Sequence, residues 1–227
     1  MCDGFDCKIM ITLGNIQKRL VTEFFDKPVM ENNLRGYWCE AMVAEQLGPT
    51  CAITSGSWAP WDLQIGKDSD NFPDRIRIQV KNSARLQAWH GTNSNPSVAQ
   101  FNLTYRALPS YWIRDFPERP SDPEGFQCDV FALCFHDNHD ILTADQRDPK
   151  QWRVFLLSAN HADGDITESE YLNCKKAFKV SGRPVTLQRR PDTMMIGIRN
   201  RRPAHVVQLP DLTLALVNKV VGKDGML

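Results

Sequence analysis

In the segment Arg75-Ile76-Arg77-Ile78-Gln79-Val80-Lys81, apolar and polar residues alternate without exception. Successive side chains of a β-strand point to opposite faces of a sheet, whereas a helix would spread Ile76, Ile78 and Val80 around its circumference. The run therefore predicts a strand with one buried face, turning Arg77, Gln79 and Lys81 to the other. A shorter segment, Trp61-Asp62-Leu63-Gln64-Ile65, has the same alternation with its odd positions apolar. With Cys51 to Thr54 before them, and Gly, Pro, Asp and Ser between, these runs predict an antiparallel meander. Asp62, Gln64, Gln79 and Lys81 would then share one polar face.

Other elements surround this meander. A first helix is expected over Ile11 to Phe25, with a structural role. A second starts at Asn32 or Asn33, either of which can cap it, and sets Leu34, Tyr37, Trp38, Ala41 and Leu47 on one face before Gly48 stops it. Glu40 falls near the edge of that face. Pro109 to Gly125 reads as a proline-punctuated loop, and Val130 to Phe135 as a central strand buried on both sides. A strand over Arg153 to Leu157, a helix from Thr167 to Phe178, and short strands at Met194 to Ile198 and His205 to Leu209 complete the order. The class is α/β, with a central mixed β-sheet flanked by helices.

At 227 residues, against a prior of roughly 150 per domain, one elaborated domain is expected. It spans 1–227, with a core of about 32–158 and a basic C-terminal extension of about 165–227. Hydrophobic residues at 42% and charged residues at 24% exclude long disorder, collagen-like repeats and coiled coil. The seven cysteines lack zinc-knuckle spacing, and no basic segment with an apolar run opens the chain. A reduced, cytoplasmic protein is the expectation, with no membrane partner, since no stretch reaches about 18 apolar residues. His136 and His139 read as turn residues rather than a metal pair, and Asp129 as either a strand-end turn residue or an outer contact of the site.

The formal net charge is zero, so composition alone carries no nucleic-acid signature. Locally the balance differs. Between Lys175 and Arg202 nine Lys or Arg residues stand against Asp192 alone, a local +8 that includes Arg189, Arg190, Arg199, Arg201 and Arg202. Such a cluster suits a phosphate backbone, which Lys and Arg bind by displacing condensed counterions. Trp58, just before Asp62, is placed either to stack on a base or to pack beneath the site.

The residues that carry chemistry are Glu40 on a helix, Asp62 in a strand, and Gln79-Val80-Lys81 in the next. Two carboxylates on neighbouring elements can hold Mg²⁺, with Mn²⁺ as a substitute, leaving water and phosphate to complete the shell. Val80 offers a backbone carbonyl to the same ion. Lys81 shares a strand face with Gln79, where its ammonium can sit over an attacking water and neutralise charge developing on phosphorus. No GxxxxGK loop occurs, which argues against ATP hydrolysis.

From about Leu34 to Phe135 the pattern resembles the PD-(D/E)xK nuclease superfamily, the fold of many restriction endonucleases and repair nucleases. The resemblance rests on Arg35-Gly36-Tyr37-Trp38-Cys39-Glu40, then Trp61-Asp62-Leu63, then Ile78-Gln79-Val80-Lys81-Asn82-Ser83, then the apolar strand after Asp129. It implies a restriction endonuclease-like fold and a Mg²⁺-dependent endodeoxyribonuclease acting on double-stranded DNA, working as a homodimer where both strands are cut. Glu40 matches the helix acid, Asp62 the strand aspartate and Lys81 the lysine. Gln79 stands where the family usually has an acid, which removes one charge from the metal site. A non-catalytic nucleic-acid-binding or assembly module on the same fold is the alternative.

Overall fold

A computed structural model describes residues 12–54, 61–67, 74–90, 95–104, 125–159, 193–197 and 206–222. The elements in order are α1 (Leu13–Leu20), a π turn (Val21–Phe25), α2 (Asn32–Leu47), β1 (Cys51–Ile53), β2 (Leu63–Ile65), β3 (Ile76–Ala84), β4 (Gln100–Thr104) and β5 (Val130–His136). After a short 3₁₀ turn come β6 (Trp152–Ser158), β7 (Thr193–Gly197), β8 (Val206–Gln208) and α3 (Leu214–Val220). The class is mixed α/β, as the alternation of elements implies.

Six strands form one sheet in the order β1-β2-β3-β5-β6-β8, and β4 pairs with β7 in a second. β1, β2 and β3 are the expected antiparallel meander. β3 and β5 run parallel, with Gln79 beside Phe131 and Lys81 beside Leu133, and every other pairing among the described residues is antiparallel. β5 is buried along its whole length, as its unbroken apolar run requires of a central strand.

Alternation along β3 and β5 divides the core in two. Ile76, Ile78 and Val80, with Val130, Ala132 and Cys134, pack beneath Cys39, Val43, Ala44 and Leu47 of α2 and Val217 and Val220 of α3. The opposite face carries Phe131, Leu133 and Phe135, covered by Trp61 and by Phe101 and Leu103 of β4. Burying each such side chain contributes about 1.5–3 kcal/mol. β8 and α3 thus belong to the same sheet and core as the rest, although they lie in the region expected to be a C-terminal extension.

Helix α2 differs from its expected phase. Glu31, not an asparagine, occupies the N-cap, and Asn32 Oδ1 instead accepts from Arg35 Nη2 at 2.5 Å. The buried stripe is Arg35, Cys39, Val43, Ala44 and Leu47, while Tyr37 is 58% exposed. Arg35 faces the core because amide oxygens meet it there: Asn82 Oδ1 and Gln87 Oε1 each accept from its guanidinium at 2.8 Å. Burial brings its pKa down to about 10. Gly48 ends the helix at φ 90°, a conformation that glycine adopts without a Cβ penalty.

The segment expected to form a helix from Thr167 to Phe178 lies outside the described residues. His136 is fully buried at the end of β5, with Nε2 against the Asp145 carbonyl at 3.2 Å and Gln151 Oε1 at 3.1 Å. The turn that follows is held by Asp140, which accepts from the Leu142 N–H and the Thr143 hydroxyl. The four described cysteines, Cys39, Cys51, Cys128 and Cys134, are free thiols.

Candidate active site

Asp62 sits at a break in the β2–β3 ladder. Leu63 is the residue opposite Ile78, yet it is the Asp62 N–H that reaches the Ile78 carbonyl, at 3.0 Å. Two residues of one chain then stand against one of the other, which is the geometry of a bulge. A bulge reverses the facing of everything beyond it. Leu63 accordingly packs with α2, while Trp61, two residues earlier, packs on the opposite face with Phe131 and Leu133.

Where β2 leaves β3, the Val80 N–H has lost its strand partner and donates to Asp62 Oδ2 at 2.8 Å. Gln79 Nε2 donates to the same oxygen at 2.6 Å. A strand residue directs its N–H and C=O to one side, so the Val80 carbonyl also faces this opened edge. Lys81 follows on the Gln79 face, near enough for its ammonium to act on Asp62. Burial pushes the Asp62 carboxyl above its ordinary range; the Lys81 charge, the Val80 N–H and the Gln79 amide oppose that rise without cancelling it.

The expected polar face is only partly formed. Gln64 is 5% exposed and accepts from Trp61 Nε1 at 3.1 Å, so it braces the wall of the site instead of lining an open face. Glu40 is half-buried on α2, and α2 covers the face bearing Ile78 and Val80. Gln79 and Lys81 project from the other face, level with Phe131 and Leu133. The fold therefore brings Asp62, Gln79, Val80 and Lys81 together, while Glu40 is carried separately on α2.

Two neighbours were not visible as site residues in the sequence. Arg77, one alternation before Gln79, lays its guanidinium carbon 3.7 Å above the Trp61 ring centroid. Cys128 is buried beside the Gln79 N–H; burial pushes its thiol up, and the charges of Asp129, Lys81 and Asp62 all act on it. Asp129, for which the sequence leaves two roles open, is a strand-end clamp: Oδ2 accepts from the Arg77 N–H at 2.7 Å and its carbonyl from the Ala159 N–H at 2.9 Å. Trp58, Arg189, Arg190, Arg199, Arg201 and Arg202 lie outside the described residues.

A buried carboxylate whose ionisation is disfavoured, beside a backbone carbonyl on an opened strand edge, is a donor set for a hard divalent cation. Among the described residues no three His, Cys, Asp or Glu side chains converge. An ion here would thus be held by Asp62 and the Val80 carbonyl with water and substrate oxygens, which suits Mg²⁺, an ion that keeps several waters and needs one or two carboxylates. Among the described residues no helix is long and apolar enough to cross a membrane. No family model, curated protein or solved structure matches the chain.

Proposed function

We propose that the chain is a Mg²⁺-dependent endodeoxyribonuclease with a restriction endonuclease-like fold, hydrolysing phosphodiester bonds of double-stranded DNA at the Asp62 edge. The observation that carries this reading is the meeting of Asp62, Gln79, Val80 and Lys81 at one bulged strand edge. In this reading Asp62 and the Val80 carbonyl hold the cation, which supplies Lewis-acid polarisation of the phosphate when bound. Lys81 donates to the nucleophilic water or to a phosphate oxygen, and its charge offsets the negative charge that grows in the transition state. Gln79 fixes one Asp62 oxygen, leaving the other to face the substrate side. The basic residues Arg189, Arg190, Arg199, Arg201 and Arg202 are assigned to the DNA backbone, with Trp58 as a base-stacking candidate.

The test is incubation of purified protein with supercoiled plasmid and with branched DNA, in Mg²⁺, Mn²⁺ or EDTA, followed by mapping of ends. Metal-dependent cuts leaving 5′-phosphates support the proposal; no cuts in any condition, with DNA still bound, would replace it with a second reading. That reading is a non-catalytic DNA-binding or assembly module. It is favoured by the saturation of Asp62 Oδ2 by two donors of its own sheet.

A further inference from the structure

α1 and the π turn after it form an amphipathic segment whose apolar side faces outward. Leu13, Ile16, Leu20 and Phe24 follow an i, i+3, i+7, i+11 pattern with Val21 beside them, and all five are between 45% and 72% exposed. Neither α1 nor the turn contains a buried residue. Together they span Leu13 to Phe25, a length at which an isolated helix is marginal in water, since helices shorter than about 12–15 residues rarely persist alone. Contiguous exposed apolar stripes on a soluble protein mark contact surfaces.

The segment is fixed in direction at its C-terminal end. Phe25 stacks on Trp38 of α2 with centroids 5.8 Å apart, and Asp26 pairs with Arg147 at 2.7 Å. The stripe is therefore presented as a defined surface. It contains no charge, and the charges beside it are self-complementary in one orientation only. Arg19 and Glu23 lie four residues apart on one flank, and neither forms an ion pair with another described residue. Two such helices side by side in parallel would put the Arg19/Glu23 flanks of the two copies on opposite sides of the contact, where they form no pair. Antiparallel, about a two-fold axis near Val21, Arg19 of each copy meets Glu23 of the other, while Leu20 and Phe24 meet across the axis.

We propose that α1 and its π turn are a self-association surface, pairing antiparallel with the same segment of a second copy of the chain. The contact is isologous, so it closes as a dimer and leaves no second apolar face to extend an array. It would give one particle two Asp62 edges. The inference stands on the exposed stripe and its flanking charges, and it holds or fails whatever reaction the Asp62 edge performs.

Sedimentation of the full chain over a dilution series tests it. Wild type is expected at twice the 25.9 kDa chain mass, and the Leu20→Glu/Phe24→Glu variant at the monomer mass with unchanged circular dichroism. Arg19→Glu should dissociate at higher concentration than wild type, and Arg19→Glu/Glu23→Arg should recover the wild-type dissociation constant. A wild type monomeric at every concentration overturns the proposal; that would also be the outcome if another part of the same chain covered the stripe. A dimer insensitive to Leu20→Glu/Phe24→Glu, or a charge exchange that fails to restore Arg19→Glu, overturns it equally. Because the charge variants alter only exposed positions, they decide the matter even if the apolar variant fails to fold.

Discussion

Gln79 and Asp62 meet on a single oxygen: the amide Nε2 of one donates to Oδ2 of the other at 2.6 Å, and the Val80 N–H donates to the same atom. This arrangement makes the amide a donor toward the carboxylate. A glutamate at that position would instead bring two acidic groups together, and like charges at that separation do not both ionise without a cation.

Gln79→Glu should therefore fold, because the residue is on the half-buried face of β3, but should be less stable than wild type in metal-free buffer near neutral pH. The introduced carboxyl and Asp62 would share a proton with a raised pKa, so stability would be present at acidic pH and lost as pH rises through that pKa. Mg²⁺ should restore it and bind more tightly than to wild type. Thermal melts across pH, with and without metal, and calorimetric titration of Mg²⁺ check this; equal or weaker binding in the variant would mean that Gln79 does not face the cation.

Asp62 itself has a raised carboxyl pKa, caused first by burial. In the fold it binds a proton at pH values where the unfolded chain has released it, so its contribution to stability is fully present below the ordinary carboxylate pKa and is lost as pH rises through the raised one. Asp62→Asn keeps an oxygen for the Val80 N–H and removes that loss. Without metal, Asp62→Asn should melt above wild type at pH 7–8, with the difference closing in acid. Adding Mg²⁺ should raise the wild-type melting temperature only.

Lys81→Met removes the cation whose charge acts on Asp62. Cleavage should fall about a hundredfold or more, the scale of losing one preorganised donor to a transition state. DNA affinity should change little, since the phosphate-binding charge is assigned elsewhere. A variant retaining wild-type turnover would place the catalytic lysine at another position.

Arg35 joins α2 to β3 through Asn82 and to the segment after β3 through Gln87. Arg35→Met would leave both amide oxygens without their donor in a buried setting, and should cost about 2–4 kcal/mol of stability. Urea unfolding measures it. A loss under about 0.5 kcal/mol would mean that water replaces the guanidinium there.

Much of this architecture was legible in local pattern, and the departures have physical causes. The alternation in β3 located Gln79 and Lys81 on one face because a regular strand obeys a period of two. The same rule misread Trp61 to Ile65, since a bulge changes facing without changing composition: Trp61 and Leu63 look equivalent in sequence and lie on opposite faces of the sheet. For the same reason Asp62 was expected inside β2 and stands just before it. In α2 the apolar count drew Tyr37 inward and left Arg35 outside, because the amides that make burial of Arg35 tolerable come from residues about 50 positions away. How α2 sets Glu40 relative to the Asp62 edge depends on helix packing, which no spacing within the helix encodes.

The most direct test is the single-turnover nicking rate of supercoiled plasmid by wild type and by Asp62→Asn, each in Mg²⁺ and in EDTA, at protein concentrations that saturate DNA binding. The expected result is nicking by wild type in Mg²⁺ alone, with the variant bound to DNA but silent in both buffers. Wild-type nicking that persists in EDTA, or an Asp62→Asn rate equal to wild type in Mg²⁺, would contradict the assignment of metal-dependent cleavage to the Asp62 edge.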